Sequence, residues 1–489
     1  MTSIPSKRPA RELNFFDCSM IVMGVMIGSG IFIVPANMAR ILQCPGWMLV
    51  AWAFTGLLTI GAAVSYGELA SALPKAGGIY RYLSEAYSPL WGFLYGWTFF
   101  TVIQTGSIAA VAVAFSRFTG VLFPWFSESH YIVRPLRFSG HYAVSLSTTQ
   151  LLAVAIIVTL TVTNSLGLRY GKWVQNIFTV AKLGALAALI FLGIVAGRNA
   201  TAVHDNFTHM FQMRGASSSA SFRGVASLLT PLVAVCIAQS GSLFSADSWH
   251  NVTFASEEVR DPRHVLPRAL ILGSGLVVLI YFVTNLVYLS NLTFSQLAHV
   301  PDDLVATAIL QRIFPARGAG MMAAAIMIST FGCINSLVLA GSRAYYAMAR
   351  DGLFLSPAAQ LNRAGVPGKS LGLQAAWAIL LVLLTTYSPR TGYGNLYSDL
   401  LDYVISAALF FYILGIAGVI VLRAKKPEMD RPYRTWGYPV TPILYIGGAS
   451  AILICLFLYR PATTWPGFAI VLCGLPIYFL FRRHASRNH

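Results

Sequence analysis

Long apolar runs recur along the whole chain and are separated by shorter polar or basic stretches. Each run is about 20 residues or longer, which is enough for an α-helix to cross a hydrocarbon core of roughly 30 Å. The pattern predicts an all-α polytopic membrane protein with twelve spans. The predicted spans lie near residues 15–40, 47–72, 88–120, 148–167, 173–197, 225–257, 267–292, 318–349, 370–388, 395–423, 439–459 and 464–482.

Two of the predicted spans contain polar interruptions that make poor membrane helix. The first holds Gly28, Ser29 and Gly30, and glycine loses the most backbone freedom when it is ordered in a helix. The sixth holds a dense polar run from Gln239 to Asn251. Because lipid cannot hydrogen-bond free amides or carbonyls, unwound backbone at this depth must face protein or a water-filled cavity. We therefore expect a break in each of these helices.

The two breaks lie five spans apart, at matching places in the chain. This arrangement is typical of inverted-repeat secondary transporters, whose broken helices form a site near the bilayer midplane. It predicts a 5+5 inverted repeat (LeuT-like) with discontinuous spans 1 and 6. The predicted units are a tail at 1–14, a first repeat at 15–197, a second repeat at 225–423, two appended spans at 439–482 and a tail at 483–489.

Broken helices also indicate what such a site would bind. The N-terminus of a half-helix presents free amides and a positive dipole end to an anionic group, whereas the C-terminus of a half-helix presents carbonyls to a cation. A zwitterion such as an α-amino acid matches both ends.

Composition and charge narrow the class of protein further. Hydrophobic residues make up 56% of the chain and charged residues 10%, whereas soluble domains average roughly 25% charged residues. The net charge is +17, and most of the 34 lysines and arginines fall on one side of the alternating spans. That bias predicts that both termini are cytoplasmic and that basic loops contact lipid headgroups. No basic stripe alternates with aromatic residues in a soluble segment, which disfavours nucleic-acid binding.

The sequence carries no recognisable catalytic or metal-binding motif. Its six cysteines are scattered without a CxxC pair, and its nine histidines form no ligand-like cluster. P-loop, HExxH and GxSxG motifs are missing. We expect no cofactor, no metal and no enzymatic activity. A membrane enzyme or sensor remains a remote alternative, because every loop is shorter than a domain of roughly 50 residues.

Lys182 lies near the middle of the fifth predicted span. An ammonium at that depth costs several kcal/mol unless it faces a polar partner, so such a residue is a functional candidate by default. The alternative is that its stem reaches back to the membrane interface, but Lys182 is far from either end of the span. The sequence favours a functional role.

Glu68 lies at the end of the second predicted span, before a helix-breaking stretch around Pro74. One interpretation is an ion pair at the interface with Lys75 or Arg81. The other is a contact that helps to close the inner face.

Several motifs in this order and spacing resemble those of a known superfamily. They are Gly28-Ser29-Gly30-Ile31-Phe32, Gly67-Glu68-Leu69 with Pro74 to Tyr80, Phe244 to Trp249, and Glu257-Glu258-Val259-Arg260-Asp261-Pro262. Each motif is weak alone, but together they resemble amino acid permeases of the amino acid–polyamine–organocation superfamily. Within it, the chain is most similar to the L-type amino acid transporter family and its bacterial relatives. The resemblance covers nearly the whole chain.

The resemblance implies roles for particular residues. In the first break, around Gly28, the amides of Ser29 and Gly30 would hold a substrate carboxylate, and the carbonyls of Met26 and Ile27 would hold its amino group. Phe244 would add a carbonyl and a ring that closes the external side, with Ser245 beside it. Lys182 would stand in for a sodium ion, with Ser329 and Thr330 nearby. The implied activity is sodium-independent transport of amino acids, as exchange or uniport, with proton-coupled symport of amino acids or amines as the alternative.

The second break departs from the family pattern. Asp247 and Ser248 occupy positions where relatives tend to have two glycines, and His250 stands where an asparagine is common in eukaryotic members. Asp247 could contact the substrate amino group or a cationic side chain, or take up a proton. It could equally cap the second half of the span, since aspartate is a favoured N-cap residue. Ser245 and Asp247 favour small, polar or cationic substrates.

A cysteine that eukaryotic members use is also missing. Members that work as light subunits form a disulfide with a heavy subunit through a cysteine between spans 3 and 4, but residues 123–149 contain none. We therefore expect a stand-alone transporter without a disulfide-linked heavy subunit, in a bacterial inner membrane.

Overall fold

A computed structural model describes residues 11–137, 142–166, 171–213, 229–388, 392–393 and 396–487. Most of these residues lie in α-helices. The helices are α1 (Phe15–Met26), α2 (Gly30–Leu42), α3 (Pro45–Ala72), α4 (Gly78–Ala86), α5 (Pro89–Thr98), α6 (Gln104–Leu122), α7 (Thr148–Ser165), α8 (Gly171–Val195), α9 (Ala200–Thr208), α10 (Thr230–Ser245), α11 (Pro262–Asn291), α12 (Phe294–Ala298), α13 (Val305–Ile313), α14 (Gly318–Arg350), α15 (Gly368–Leu383), α16 (Leu396–Lys425), α17 (Val440–Tyr459) and α18 (Pro461–Arg487). A π-helix spans Phe99–Ile103, and 3-10 helices span Trp249–Glu258, Pro301–Asp303 and Ser356–Ala359.

The apolar helices identify a multi-pass membrane protein. Within the described ranges, nine helices are long and apolar enough to cross a membrane, or ten if α1 and α2 form one span with a 41° bend. These helices coincide with the predicted spans except at 225–257 and 370–388. At those two places α10 and α15 are only 16 residues long each.

Both predicted helix breaks are present. In the first, α1 ends at Met26, α2 begins at Gly30, and the backbone between them is not helical. In the second, α10 ends at Ser245, and the chain resumes as a 3-10 helix at Trp249. Ser248, just before that helix, has a left-handed backbone with φ of +67°. The broken segments are buried, since Ile27 and Ile31 are both fully inaccessible to solvent.

The surrounding helices hold the breaks at the centre of the molecule. α1 packs against α8, α11 and α14, while α2 packs against α10. α8 exposes Ile177, Val180 and Phe191 on its outer side, and it buries Lys182 on its inner side. The apolar outer face matches contact with lipid, and the inner face places the Lys182 ammonium at the first break.

A small sheet corrects the expectation of an all-α fold. Strands β1 (Tyr131–Arg137), β2 (Tyr142–Ser147), β3 (Leu384–Ser388) and β4 (Gly392–Tyr393) form an antiparallel sheet in that order. β2 pairs with β3, with Val144 opposite Leu384. The predicted span at 370–388 ends early because its last residues exchange helical hydrogen bonds for this ladder.

Glu68 makes contacts other than those predicted. Its carboxylate accepts two hydrogen bonds from Arg423, at 2.9 and 2.7 Å, and one from the Thr435 amide at 2.8 Å. Arg431 lies 3.4 Å from the same carboxylate. The predicted pairs with Lys75 and Arg81 are therefore wrong, because the end of α16 folds back over Glu68 and reaches it first.

Arg81 instead belongs to a neighbouring cluster on α4. It pairs with Asp351 at 3.2 Å, and the Tyr80 hydroxyl donates to the same carboxylate at 2.7 Å. Burial and the hydrogen bond to Asp351 raise the pKa of Tyr80. Both clusters tie helix ends together on the side of the molecule where α1 begins.

Some predicted features fall outside the described residues. They are residues 1–10 of the first tail, residues 138–141 and 167–170 of the first repeat, residues 225–228, 389–391 and 394–395 of the second repeat, and residues 488–489 of the last tail.

Candidate functional site

A small cavity lies between the two helix breaks, and we call it the site cavity. Its volume is about 20 Å³, enough for roughly one water molecule. All the substrate-contact residues predicted from the sequence line it except Ile27. The lining residues are Val25, Met26, Gly28, Ser29, Gly30, Ser107, Val111, Phe244, Ser245, Asp247, Ser248, Cys333 and Leu337.

The two breaks touch each other at a glycine. A Cβ atom placed on Gly30 would lie 2.8 Å from the Cα of Ser245, so only glycine fits there. Gly28 faces α14, where an added Cβ would lie 3.1 Å from Cys333 Sγ. The glycines that weaken the helix therefore also allow its close approach to the second break.

The N-terminus of α2 presents free backbone amides in this region. Among the described residues, no acceptor takes a hydrogen bond from the backbone amides of Ser29 or Gly30. Free amides at the start of a helix, together with its dipole, favour an anionic group such as a carboxylate. The Ser29 hydroxyl is hydrogen-bonded to Tyr397 at 2.9 Å.

The carbonyls at the end of α1 already have partners. Met26 O accepts hydrogen bonds from the Gly28 amide and the Tyr281 hydroxyl, both at 2.9 Å. Ile27 O accepts from Lys182 at 3.0 Å and from Ser329 at 3.3 Å. A carbonyl has two lone pairs, so both acceptors are used within the protein in this conformation.

Lys182 is buried, with 1% of its surface exposed. Its ammonium donates to Gly24 O at 2.7 Å as well as to Ile27 O. The side chain therefore points into the first break, and it does not extend to the membrane interface. Thr330, predicted nearby, bonds within its own helix to Ile326 O at 2.8 Å. Ser329 is the neighbour that shares an acceptor with Lys182.

Asp247 is the one acidic residue that lines the site cavity. Its Oδ1 accepts a hydrogen bond from the Tyr412 hydroxyl at 2.7 Å, whereas its Oδ2 accepts none from any described residue. The N-cap position of the following 3-10 helix belongs to Ser248, and no amide of that helix bonds to the Asp247 carboxylate. Asp247 thus lies one residue before the N-cap position, with the Ser248 backbone amide beside its carboxylate.

A second cavity of about 20 Å³ lies on the other side of the second break, and Asp247 lines this cavity too. Tyr412 and Tyr445 reach it from α16 and α17. Close by, the Tyr412 hydroxyl lies 3.3 Å from His250 Nδ1, and His250 Nε2 lies 3.5 Å from the Tyr95 hydroxyl. A chain of polar groups thus leads from Asp247 into the protein.

Tyr397 covers the site cavity from the side where α2 ends. Its ring meets Phe244 edge-on, with centroids 6.2 Å apart, and the Arg117 guanidinium lies 5.6 Å from the same ring. Through its bond to Ser29, Tyr397 connects both breaks to the start of α16. The predicted role of Phe244 as an aromatic cover thus involves a second aromatic residue.

Several residues at or beside the cavities had no local signal in the sequence. They come from helices distant in the chain, and only packing brings them to the breaks. These residues are Ser107, Val111, Cys333, Leu337 and Tyr412.

Comparison with known proteins finds relatives along nearly the whole chain. Residues 13–480 match the family model described as amino acid permease. The chain is 30% identical to the mouse large neutral amino acids transporter small subunit 2 over 475 residues, which cover 96% of this chain and 81% of that protein. It is 29% identical to the human b(0,+)-type amino acid transporter 1 over 490 residues, with coverage of 98% and 90%. It is 27% identical to the serine/threonine exchanger SteT of Bacillus subtilis over 481 residues, with coverage of 97% and 98%. These relatives are transporters and not enzymes.

Proposed function

The chain belongs to the amino acid permease family, and from this premise we propose that it exchanges α-amino acids across a membrane without sodium, by alternating access. One observation carries the proposal. The free amides of Ser29 and Gly30 share a buried cavity with Phe244, Ser245 and Asp247. This arrangement offers a carboxylate site and a cation site in one cavity.

Lys182 supports transport without sodium. Its ammonium already lies among the carbonyls of the first break, where it donates to Gly24 O and Ile27 O. A fixed positive charge there supplies the attraction to these carbonyls that a sodium ion would otherwise provide. Exchange is supported by one relative, the serine/threonine exchanger of Bacillus subtilis.

The proposed architecture has twelve spans in the LeuT-like arrangement. Residues 15–197 and 225–423 form the two inverted repeats, and the spans at 439–482 are appended to them. The bent pair α1 and α2 and the interruption after α10 support this assignment, because they lie at matching places. Both termini, including the tails at 1–14 and 483–489, are cytoplasmic, and the membrane is a bacterial inner membrane.

Alternating access requires a closure on each side of the site. On the outer side, Tyr397 holds Ser29 and packs on Phe244. On the inner side, Arg343 pairs with Glu258 at 2.9 Å, and Glu68 joins α3 to α16. The site cavity is too small for an amino acid in this conformation, so one of these closures must open before cargo enters.

The cargo class follows from the lining residues and from the names of the relatives. Those names include large neutral amino acids, serine and threonine. Ser245 and Asp247 favour small polar or cationic amino acids. The protein works without a disulfide-linked heavy subunit, since residues 123–149 offer no cysteine.

Two measurements on purified protein test the proposal. A thermal-shift screen with the twenty standard amino acids should identify a cargo that raises the melting temperature. Proteoliposomes loaded with that cargo in radiolabelled form should then release it only when the same amino acid is present outside. Sodium should change neither result. If no amino acid stabilises the protein or drives efflux, the proposal is wrong.

Proton-coupled symport of amino acids or amines is the second candidate. The unpartnered Oδ2 of Asp247 favours it, because a buried carboxylate without a cation is a ready proton acceptor. The efflux experiment separates the two candidates when it is repeated under a pH gradient. Efflux that follows the gradient and needs no external amino acid would replace exchange by symport.

A further inference from the structure

The hydrogen-bond acceptors around the site cavity differ in how many hydrogen bonds they already accept. Met26 O and Ile27 O each accept two hydrogen bonds within the protein. Phe244 O accepts the amide of Asp247 at 3.2 Å. Asp247 Oδ2 is buried and accepts no hydrogen bond from the described residues. It is the carboxylate oxygen that lines the cavity without a partner in the described part of the chain, and an ammonium group can use it without displacing an existing bond.

The Asp247 carboxylate also lacks a compensating charge. The titratable groups that face it come from α3, α5, the 3-10 helix, α14, α16 and α17. They are Tyr66, Tyr95, His250, Cys333, Tyr412 and Tyr445. None of them is a lysine or arginine, and the described residues supply no ion pair to Asp247. Because an unpaired buried carboxylate costs several kcal/mol, a proton or a cationic ligand must neutralise it.

Tyr412 can donate a hydrogen bond to Asp247 in either protonation state of the carboxylate. Its hydroxyl lies 2.7 Å from Asp247 Oδ1 and 3.3 Å from His250 Nδ1, but it has a single proton to donate. An anionic Asp247 is the stronger acceptor and draws that proton. A protonated Asp247 can still accept this hydrogen bond at Oδ1, with its own proton on Oδ2.

We propose that Asp247 holds a proton while the site is without cargo, and that the α-ammonium group of an arriving amino acid displaces it. In this step the O–H bond at Asp247 breaks, and the proton passes to water on the side to which the site is open. The resulting carboxylate accepts an N–H bond from the ammonium at Oδ2, while Oδ1 keeps its hydrogen bond from Tyr412. The reverse step accompanies release. The inference rests on the proposed function and deepens it, since Asp247 becomes the residue that recognises the amino group of every cargo.

The displacement is compatible with strict exchange. An amino acid that enters releases a proton on one side, and an amino acid that leaves takes one up on the same side. A complete exchange cycle therefore moves no net proton. The displaced proton becomes visible only when cargo binds to empty carrier, so binding is the event to measure.

Isothermal titration calorimetry of the whole protein in detergent tests the inference. The probes are L-serine, L-leucine and L-arginine, titrated between pH 6 and 8 in phosphate and in imidazole, which both buffer in this range and differ in ionisation enthalpy. The expected difference in heat corresponds to nearly one proton released per amino acid at the acidic end. Because protonated Asp247 competes with the cargo, affinity should rise with pH, by up to about tenfold per unit while the proton must be displaced. Equal heats in both buffers together with a flat affinity would overturn the inference.

Two variants test whether the proton released on binding comes from Asp247. Asp247→Asn should bind all probes roughly 10- to 100-fold more weakly, with no proton release and no pH dependence. Asp402→Asn is the matched control. Asp402, on α16, is a buried carboxylate like Asp247, but it lines neither cavity. The control should retain the proton release of the unmodified protein. Proton release that persists in Asp247→Asn, or disappears in Asp402→Asn, contradicts the assignment.

A third variant keeps the test decisive if Asp247→Asn does not fold. Tyr412→Phe keeps the carboxylate and removes its hydrogen-bond donor, so the proton should bind more tightly and the rise in affinity should shift to higher pH. An unshifted profile contradicts the role of Tyr412.

The inference and the proposed function fail in different ways. If none of the amino acids binds at any pH, the proposed function fails, whereas binding without proton release removes only the role of Asp247.

Discussion

Lys182 shows how a single residue can determine the local chemistry of a helix break. Its ammonium replaces the helical amides that Gly24 O and Ile27 O lack where α1 ends. The sequence indicated a functional role from depth in the span alone. The structure adds the two acceptors, which lie on a helix more than 150 positions away in the chain.

Replacing Lys182 by methionine tests this role. Methionine fills a similar volume but leaves two buried carbonyl groups without this donor, at about 1–3 kcal/mol for each unsatisfied group. We expect a lower melting temperature and loss of exchange in proteoliposomes, with no rescue by sodium. Lys182→Arg, which keeps the charge, is the control and should retain part of the stability. Normal exchange in Lys182→Met would show that the ammonium is dispensable.

Ser248 carries a backbone conformation that suits glycine better. Its φ of +67° costs a side-chain-bearing residue roughly 1–2 kcal/mol. We expect Ser248→Gly to raise the free energy of unfolding slightly, by about 1 kcal/mol or less, because glycine also gains freedom in the unfolded chain. Ser84→Gly in α4, where φ is negative, should instead lower it by about 1 kcal/mol. Thermal melts in detergent would rank the two, and a destabilising Ser248→Gly would contradict the expectation.

At the scale of elements, the helix breaks were predictable because their cause is local. Gly28, Ser29 and Gly30 weaken any helix that contains them, and the breaks appear where the composition places them. The early end of α15 was not predictable. Residues 384–388 contain no proline or glycine that would end the helix, but residues 384–386 pair with β2, a strand from a distant part of the chain.

The contact between the two breaks gives a prediction at this scale. An alanine at position 30 would place its Cβ 2.8 Å from the backbone of Ser245 and would push α2 away from α10. We expect Gly30→Ala to abolish transport and to destabilise the protein by about 1–3 kcal/mol. Gly184→Ala in α8 is the control, because an added Cβ there meets nothing within 4 Å. Measurable exchange in Gly30→Ala at the rate of Gly184→Ala would show that the breaks need not touch.

At the scale of the whole molecule, Glu68 connects parts of the chain that are far apart in sequence. It links α3 to the end of α16 and to the segment before α17, through Arg423, Arg431 and Thr435. The carboxylate is buried, with 3% of its side chain exposed. Its loss would leave two guanidinium groups without their shared partner.

Glu68→Gln therefore has a predictable effect on stability. Removing one partner of a buried ion pair typically costs about 3–5 kcal/mol. We expect a marked fall in the melting temperature of this variant. Glu85→Gln is the control, because Glu85 and Lys426 form an exposed pair at 2.9 Å, which contributes about 0–1 kcal/mol. Equal melting temperatures for the two variants would contradict a structural role for Glu68.

The sequence alone determined the class of protein, the positions of most spans, both helix breaks and most residues of the site cavity. These features follow from composition and from local weakness of the helix, which act over neighbouring residues. Only the tertiary structure decided which partners those residues meet. Glu68 pairs with Arg423, Ser29 with Tyr397, and Asp247 with Tyr412. Each partner lies on α16, which is far in sequence from the first two spans and from the second break, and only the packing of the helices brings the paired residues together.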